Sequence, residues 1–286
     1  MKKILAIILI LFTYESMQAG GGWPQQKGKG YFKLGQNFIV ADNFFNLQGE
    51  VIGITTISLY TTSLYGEYGI TDRLTGLLYM PFFVRSTLNE VERRQTGNIE
   101  PGDELNSFGD TDIGFKYGLT SGKSIALSAT VLFGLPLGKT AGGTTDAGET
   151  RILQTGDGEF NQMLMIDASH SFYPTPLYAS VGLGYNNRTN GFSDEIRATG
   201  EIGYQPSSHW NLAVKVFITQ STNNGDSDGG AGSGVFGNNV EYVSFGPELS
   251  YIFKENFGAV ASAAFASSGQ NLLAAPNFGV GVFLKL

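Results

Sequence analysis

Hydrophobic and polar residues alternate with a period of two in about a dozen segments of this chain. Alternation of this kind places every second side chain on the same face of a β-strand. A soluble sandwich shows a similar pattern, but strands of about 10–12 residues with all charges on one face are typical of a membrane barrel, with lipid outside and water inside. The clearest case is 109–119, where Asp110, Asp112, Gly114 and Lys116 share one face and Thr111, Ile113, Phe115, Tyr117 and Leu119 the other.

The pattern predicts an all-β chain, a transmembrane antiparallel β-barrel of about twelve strands over residues 30–286, with no second domain. The predicted strands are 30–41, 57–70, 74–85, 109–119, 124–135, 160–173, 177–187, 194–205, 210–220, 240–253, 257–268 and 277–286. Short links alternate with connections that are mostly longer, at 42–56, 86–108, 136–159, 188–193, 221–239 and 269–276. This is the expected topology of an outer-membrane barrel. An even strand count leaves both termini on the short-turn, periplasmic side.

The two faces of the predicted strands differ in chemistry. Outward positions are apolar, as in Leu177, Val181 and Leu183, Leu212, Val214 and Ile218, or Val280, Val282 and Leu284. A charge on the lipid face costs roughly 2–4 kcal/mol near the midplane, so this segregation favours contact with hydrocarbon. The strand at 74–85 is apolar on both faces. It is therefore predicted either to line a hydrophobic part of the interior or to pack against a loop or plug.

The N-terminus predicts export. Lys2 and Lys3 precede nine apolar residues, and we expect a signal peptide at 1–19 cut after Ala19. Residues 20–29 predict a flexible N-terminal arm, because glycines resist order and Pro24 blocks a helix or ladder. Removal of the leader leaves 16 basic and 24 acidic residues, a net charge near −8 that argues against nucleic acid as a partner. With no cysteine, the chain has no disulfide framework or thiolate metal site, and we predict no cofactor.

Charged residues predicted to point inward are the candidate transport-lumen site. They are Glu67, Asp110, Asp112, Lys116, Asp167, Glu195, Arg197, Glu201, Lys215 and Glu248, with Lys33 and Lys285 in the wider set. One interpretation is that these charges pair with one another and close a narrow barrel. The other is a conduction path whose excess of acid disfavours anions. In size, a barrel of about twelve strands lies between filled eight-stranded and open sixteen-stranded barrels. Strand number therefore does not decide between the two interpretations.

Apolar side chains form a second inward set, which suits a hydrophobic or aromatic solute as well as it suits simple space filling. They are Tyr65, Met163, Met165, Tyr178 and Phe217, with Phe44 and Phe45 in the first loop. We predict no catalytic residue: His170 points outward while Ser169 and Ser171 lie on the opposite face, so a Ser–His dyad is not expected. The run 226–230 has the oxygen-rich composition of a weak Ca²⁺ loop but lacks EF-hand spacing, and a solvated loop is favoured.

Three motifs resemble those of the "MetA-pathway of phenol degradation" outer-membrane protein family. They are Phe108–Tyr117, with the spacing Gly-Asp-x-x-x-Gly-x-Lys-Tyr, the turn Tyr68–Leu74, and Gly134–Gly138. The resemblance implies a barrel similar to transporters that pass hydrophobic molecules. One departure is the C-terminus, where Leu286 replaces the aromatic residue that the assembly machinery reads in many outer-membrane barrels.

These observations predict an outer-membrane barrel of a Gram-negative cell that lets small, hydrophobic or aromatic molecules pass down their gradient, and not an enzyme. Its expected partners are outer-membrane lipid, the barrel-assembly machinery and an unknown solute. Two other classes remain: a closed structural or surface-interaction barrel that binds through the loops 86–108, 136–159 and 221–239, and a secreted soluble sandwich.

Overall fold

The computed structural model describes residues 21–92, 97–144, 150–226 and 236–286, and its regular structure there is β-strand. The predicted signal peptide and the 227–230 part of the Ca²⁺-like run lie outside the described residues. The strands are β1 Gly30–Phe45, β2 Val51–Gly69, β3 Leu74–Leu88, β4 Val91–Glu92, β5 Ile99–Glu100, β6 Asp103–Ser107, β7 Thr111–Gly118, β8 Ile125–Leu135, β9 Thr140–Thr144, β10 Thr150–Gln154, β11 Asn161–Ser171, β12 Leu177–Arg188, β13 Glu195–Tyr204, β14 Trp210–Ser221, β15 Glu241–Lys254, β16 Phe257–Gln270, β17 Leu272–Leu273 and β18 Asn277–Lys285.

The long strands form one closed antiparallel barrel. Each pairs with its neighbour in sequence, and β1 pairs with both β2 and β18, which closes the sheet. Two wall positions are each made of two pieces: β6 and β7 both pair with β3, and β17 and β18 both pair with β1. In the described part of the chain the wall therefore has twelve strands, and the predicted all-β barrel is confirmed. The β4–β5 and β9–β10 hairpins stand outside it, within the long connections.

Short turns and longer connections alternate between the two ends of the barrel. We call these ends the short-turn rim and the long-loop rim. The first connection is shorter than predicted because pairing of β1 with β2 continues past the predicted strand ends. Phe44 and Phe45 are therefore not in a loop: they lie at the end of β1 and pair with Leu273 and Leu272 of β17.

Side chains separate by face as the alternation predicts. On the outer surface Val181 is 61% and Val214 55% exposed, whereas the inward Glu67 and Ser128 are fully buried. Exposed apolar residues of this kind recur on the outer face all round the barrel. A continuous apolar outer surface is what a hydrocarbon environment requires. Within the described residues, the structure contains no helix of sufficient length and apolarity to cross a membrane.

The strand that is apolar on both faces, β3, is covered on its inner side by other parts of the chain. Leu77 faces the lumen, and Val84, 2% exposed, lies against Gly109 in the connection before β7. The Gly109 N–H donates to the Pro81 carbonyl at 2.7 Å. Both expected causes of its two apolar faces are thus present: β3 lines a hydrophobic part of the interior, and it packs against a loop.

Candidate functional site

The candidate site is the barrel lumen, where most of the predicted charges meet. Glu67 of β2 lies 3.8 Å from the ammonium of Lys116 on β7, and both side chains are buried. Across the barrel, Lys215 of β14 donates to Glu248 Oε1 of β15 at 2.8 Å and lies 3.7 Å from Glu201 Oε2 of β13. The register produces these pairs, since Lys215 is directly opposite Glu201 across two antiparallel strands.

Between the two paired groups lies a cavity of about 370 Å³. Asp167 lines it from β11, together with the charged residues Lys33, Lys116, Lys215, Glu201 and Glu248. Apolar side chains complete the wall: Tyr31, Tyr65, Leu77, Met165 and Phe217. The cavity is thus amphipathic, with aromatic and sulfur-bearing surfaces beside fixed ion pairs, and is large enough for a small organic molecule.

Of the segment predicted as a flexible arm, residues 21–25 lie inside the barrel at its short-turn end, and residues 26–29 are exposed. The Gly22 N–H donates to Ser169 Oγ at 2.7 Å, and the Gln25 N–H donates to Thr75 Oγ1 at 2.8 Å. The Trp23 ring packs edge-on against Tyr178, with centroids 6.2 Å apart. Because Ser169 and Tyr178 belong to β11 and β12 but Thr75 belongs to β3, this N-terminal segment reaches from one wall of the lumen to another. Gly21 forms part of the floor of the cavity.

The remaining predicted charges lie nearer the long-loop rim. Arg197 of β13 contacts Glu195 Oε2 at 2.6 Å, and Asp112 begins the inner face of β7. Asp110 is not on a strand, because β7 begins one residue later at Thr111. Its carboxylate instead accepts the backbone N–H groups of Gly138 and Asp157, at 2.8 and 2.6 Å. The expectation that Asp110 shares a strand face with Asp112 is therefore wrong: it fastens a loop.

Arg188, at the end of β12, holds the long-loop rim together. Its buried guanidinium contacts Asp157 at 2.6 Å, Glu159 at 2.7 Å and Glu195 at 2.8 Å. Five N–H donors in a planar fork suit one cation to several carboxylates. Burial, followed by the interaction of its side chain with the Asp110 carboxyl group, raises the pKa of Asp157 to about 6, even though the positive charge of Arg188 opposes the rise. We call Arg188 and its three carboxylates the Arg188 cluster.

A second connection, 189–194, is fixed beside this cluster by Asp194. Its carboxylate accepts hydrogen bonds from the Arg188 N–H at 2.8 Å and from the side chains of Tyr185, Asn187 and Asn224 at 2.6–3.0 Å. Burial alone raises the pKa of Asp194, but these donors together hold it below its ordinary value. The carboxylate is thus an ordered acceptor that joins the connection 189–194 to the end of β12 and to Asn224 in the next long connection.

Sequence reasoning missed Arg188, Asp157, Glu159 and Trp23 as parts of the site. The first three lie at or beyond strand ends, where alternation no longer says which way a side chain points. Trp23 precedes the first strand and has no periodic pattern around it. The one available signal is Trp23 itself, because a large aromatic residue in a glycine-rich segment usually needs an apolar partner.

The residues considered for hydrolysis do not form a dyad. His170 Nδ1 lies 2.7 Å from the Ser124 carbonyl, and its ring packs against Phe172. Ser169 is on the opposite face, where its hydroxyl contacts Ser180 Oγ and the Gly22 N–H. Over the described ranges there is also no group of three or more His, Cys, Asp or Glu residues placed to hold a metal ion.

Solved outer-membrane barrels match this fold over nearly its full length. The COG4313 outer membrane channel from Pseudomonas putida F1 has a TM-score of 0.65 and 14% identity, covering 95% of this chain and 100% of that one. The translocator domain of the autotransporter NalP from Neisseria meningitidis has a TM-score of 0.57 and 12% identity, covering 92% and 90%. The Ralstonia pickettii toluene transporter TbuX has a TM-score of 0.48 and 9% identity, covering 92% and 90%.

At the level of sequence, no protein-family model matches the chain, and no curated protein matches it. The first two structural matches show that the chain has the fold of an outer-membrane barrel. This likeness agrees with the barrel fold that the resemblance of the sequence motifs implies.

Proposed function

We propose that the protein is an outer-membrane channel that lets small hydrophobic or aromatic molecules cross passively. The observation that carries this proposal is the amphipathic cavity of about 370 Å³ inside a closed barrel of twelve strands. The apolar outer face supports residence in the outer membrane, where lipid and the barrel-assembly machinery are the expected partners. The likeness to a solved outer membrane channel supports the same class of function.

The cavity favours solutes with an apolar body over inorganic ions. Tyr65, Met165 and Phe217 offer it aromatic and thioether surfaces, which bind apolar groups through area burial and ring contacts. Several of the charged side chains around them are paired, Lys116 with Glu67 and Lys215 with Glu201 and Glu248. A neutral aromatic molecule that enters the cavity therefore breaks no ion pair.

Uptake into proteoliposomes tests this function, with toluene and phenol as hydrophobic probes and a sugar as the hydrophilic reference. We expect the purified barrel to accelerate entry of the aromatic probes. Thr199→Trp fills the cavity from its wall, and we expect at least a tenfold loss of uptake. Gly200→Trp is the matched control on the next residue of β13, because a Cβ there faces outward, with only Val216 Cβ near it at 3.9 Å.

A closed structural barrel is the competing function, favoured by the N-terminal segment inside the lumen. The same assay separates the two. Equal and negligible uptake by empty and protein-bearing liposomes refutes the channel, whereas uptake that is blocked by Thr199→Trp and kept by Gly200→Trp refutes the closed barrel.

A further inference from the structure

An apolar groove lies on the outer face of the barrel, where β1, β2, β3, β7 and β8 stand side by side. Its volume is about 340 Å³. Since an apolar cavity of about 150 Å³ holds a benzene ring, this groove has room for a segment of hydrocarbon chain. Two of the residues that line it are glycines, Gly66 of β2 and Gly76 of β3. Large apolar and aromatic side chains form its walls, among them Phe32, Leu64, Tyr68, Ile70, Phe115 and Phe133. We call this feature the outer groove.

The glycines make this part of the wall concave. Gly76 lies directly between Tyr68 and Phe115 in the row of residues that crosses β2, β3 and β7. A Cβ at Gly76 would have Ile70 Cδ1 as its nearest neighbour, at 3.6 Å, so a larger side chain there would occupy the groove. Tyr68 and Phe115 are 45% and 52% exposed and stand on either side of the gap that Gly76 leaves.

The outer groove has the length of one membrane leaflet and lies at the short-turn rim. Along β2 its lining runs from Ile70, beside the turn 71–73, to Leu64. At a rise of about 3.4 Å per residue and a tilt of about 40°, these six residues span about 15 Å along the membrane normal. The hydrocarbon core of a bilayer is about 30 Å thick, so one leaflet accounts for about 15 Å. A single acyl chain of a lipid in this leaflet therefore matches the groove in length.

Basic side chains lie at the rim end of the outer groove. Lys29 precedes β1, Arg73 lies in the turn between β2 and β3, and Lys123 lies in the turn between β7 and β8; all three are exposed. Backbone hydrogen bonds fix two of them to the strands of the groove. The Gly69 N–H donates to the Lys29 carbonyl at 2.9 Å, and the Gly118 N–H donates to the Arg73 carbonyl at 2.8 Å.

The charge at this part of the rim is opposite in sign to that of the whole chain, which is −7. The turns and the N-terminal segment beside the outer groove carry one exposed acidic residue, Asp72, and four exposed basic residues. The basic residues are Lys27, Lys29, Arg73 and Lys123. Elsewhere on the same rim, the turns 172–176 and 205–209 contain no Asp, Glu, Lys or Arg, and the turn at 254–256 has one of each sign. The excess of positive charge is therefore on the side of the barrel that carries the groove.

We propose that the outer groove and the basic residues at its rim end bind an anionic phospholipid. One acyl chain lies in the groove, and the phosphate headgroup contacts Lys29, Arg73 and Lys123. Lysine and arginine side chains are donors without an acceptor, which suits them to phosphate oxygens. Each basic residue close to a membrane surface raises the affinity for anionic lipid roughly fivefold. The site does not require that the barrel conduct a solute, so it stands or falls independently of the proposed transport.

Quenching of tryptophan fluorescence by brominated lipids tests the site in the full-length barrel reconstituted in vesicles. Two single-tryptophan chains report on opposite sides of the barrel: Tyr68→Trp with Trp23→Phe and Trp210→Phe, and Trp23→Phe alone. Brominated phosphatidylglycerol and brominated phosphatidylcholine are compared at equal mole fraction, and the ratio of their quenching gives the relative affinity. We expect a preference for phosphatidylglycerol of at least about fivefold at position 68. At position 210, beside an uncharged turn, we expect less than about twofold.

Removal of the positive charges tests the headgroup contacts. In the position-68 reporter, Lys29→Gln, Arg73→Gln and Lys123→Gln are combined, and the preference should fall below about twofold. Lys254→Gln is the matched control, because it removes a basic residue from another turn of the same rim, and the preference should stay. Heat-modifiable gel migration reports whether each variant is folded.

Filling the groove tests the position of the acyl chain. Gly76→Leu places an apolar side chain in the groove without a close contact, so the preference at position 68 should fall to that at position 210. Gly200→Leu is the matched control on the outer face of β13, where only Val216 Cβ is near, at 3.9 Å, and the preference should stay.

A preference at position 68 that the charge variant and Gly76→Leu both abolish, and that both controls keep, supports the site. Equal quenching by the two lipids at position 68 overturns it, because the groove then accepts any membrane lipid. A preference that survives removal of the three charges overturns it as well, and this arm decides the matter if Gly76→Leu does not fold. A preference that a folded Gly76→Leu keeps refutes the acyl chain in the groove. Quenching at position 210 but not at position 68 also overturns the site, since a second copy of the chain then covers the groove.

Discussion

An arginine at position 214 is expected to prevent membrane assembly, whereas an arginine at position 199 is expected to be tolerated. Val214 is 55% exposed on the outer face of β14, flanked on the neighbouring strands by Ile202 and Pro247. Thr199 lies on β13 with its side chain toward the cavity. The two substitutions place the same side chain on opposite faces of adjacent strands.

The position of Val214 sets the magnitude. It lies four residues beyond Trp210, an exposed aromatic residue at the short-turn rim of the kind that lies at the membrane–water interface of barrels. At a rise of about 3.4 Å per residue and a tilt of about 40°, those four residues span about 10 Å along the membrane normal. An apolar band about 25 Å tall puts this position close to the midplane, where arginine costs roughly 2–4 kcal/mol. Since 1.36 kcal/mol is a factor of ten, the folding equilibrium should fall roughly 30- to 900-fold.

Folding from urea into vesicles of defined lipid, followed by gel migration and tryptophan fluorescence, measures both variants. At position 199 the guanidinium enters a cavity that already contains Asp167 and Glu201, so folding should stay within about tenfold of the wild type. Equal loss of folding in the two variants would refute the assignment of faces, because burial in a protein core penalises both side chains alike.

Three other outcomes test the lumen and its rim. Removal of residues 21–29 should raise single-channel conductance severalfold in planar bilayers, and unchanged conductance would contradict the placement of this segment across the lumen. Arg188→Met should remove the cation that Asp157 and Glu159 contact, while Glu195 keeps its contact with Arg197, and should lower the local stability of 189–194 by about 3–5 kcal/mol, measured by amide hydrogen exchange. The pKa of Asp157 is about 6 in the folded chain and 3.8 in the unfolded chain. Between these pH values the folded chain therefore binds more protons than the unfolded chain. The stabilisation of the rim by protonated Asp157 is present below about pH 4 and should be lost as the pH rises through about 6. Asp157→Asn should abolish this pH dependence of hydrogen exchange, and a persistent dependence would show that another group is responsible.

The barrel could be predicted because the side chains of its strands alternate between two environments with a period of two residues. Each wall strand has one face in an apolar environment and the other in the lumen, so alternation along the sequence reports the side-chain direction at every position from Ile125 to Leu135 or from Leu177 to Arg188. Charged residues within strands, such as Glu67 and Lys215, could be placed inward for the same reason. Strand ends were less certain, because pairing of β1 with β2 depends on backbone hydrogen bonds and not on which side chains are apolar.

What the sequence did not predict depends on contacts between distant residues. Asp110 was placed on a strand face, yet it accepts N–H groups 28 and 47 residues further along the chain. Nothing near Arg188 indicates that its guanidinium meets Asp157 and Glu159, about 30 residues earlier. Loop residues have no periodicity, and ion pairs between loops are therefore visible only once the barrel has brought the ends of β8, β11 and β12 to the same rim.

Two kinds of contact inside the lumen differ in the space that their loss creates. Withdrawal of residues 21–25 breaks three side-chain hydrogen bonds, to Ser169, Thr75 and Glu67, at about 0.5–1.5 kcal/mol each once water replaces them. Separation of Lys215 from its carboxylates costs about 3–5 kcal/mol, because it leaves charges buried without partners. The second change also creates no space, since all of these side chains remain inside the wall. Movement of the N-terminal segment therefore opens volume in the lumen, which separation of the ion pairs does not, and the ion pairs are a fixed part of the wall. The two interpretations of the inward charges are therefore compatible: we propose that paired charges fill the sides of the lumen and that passage depends on the N-terminal segment at its short-turn end.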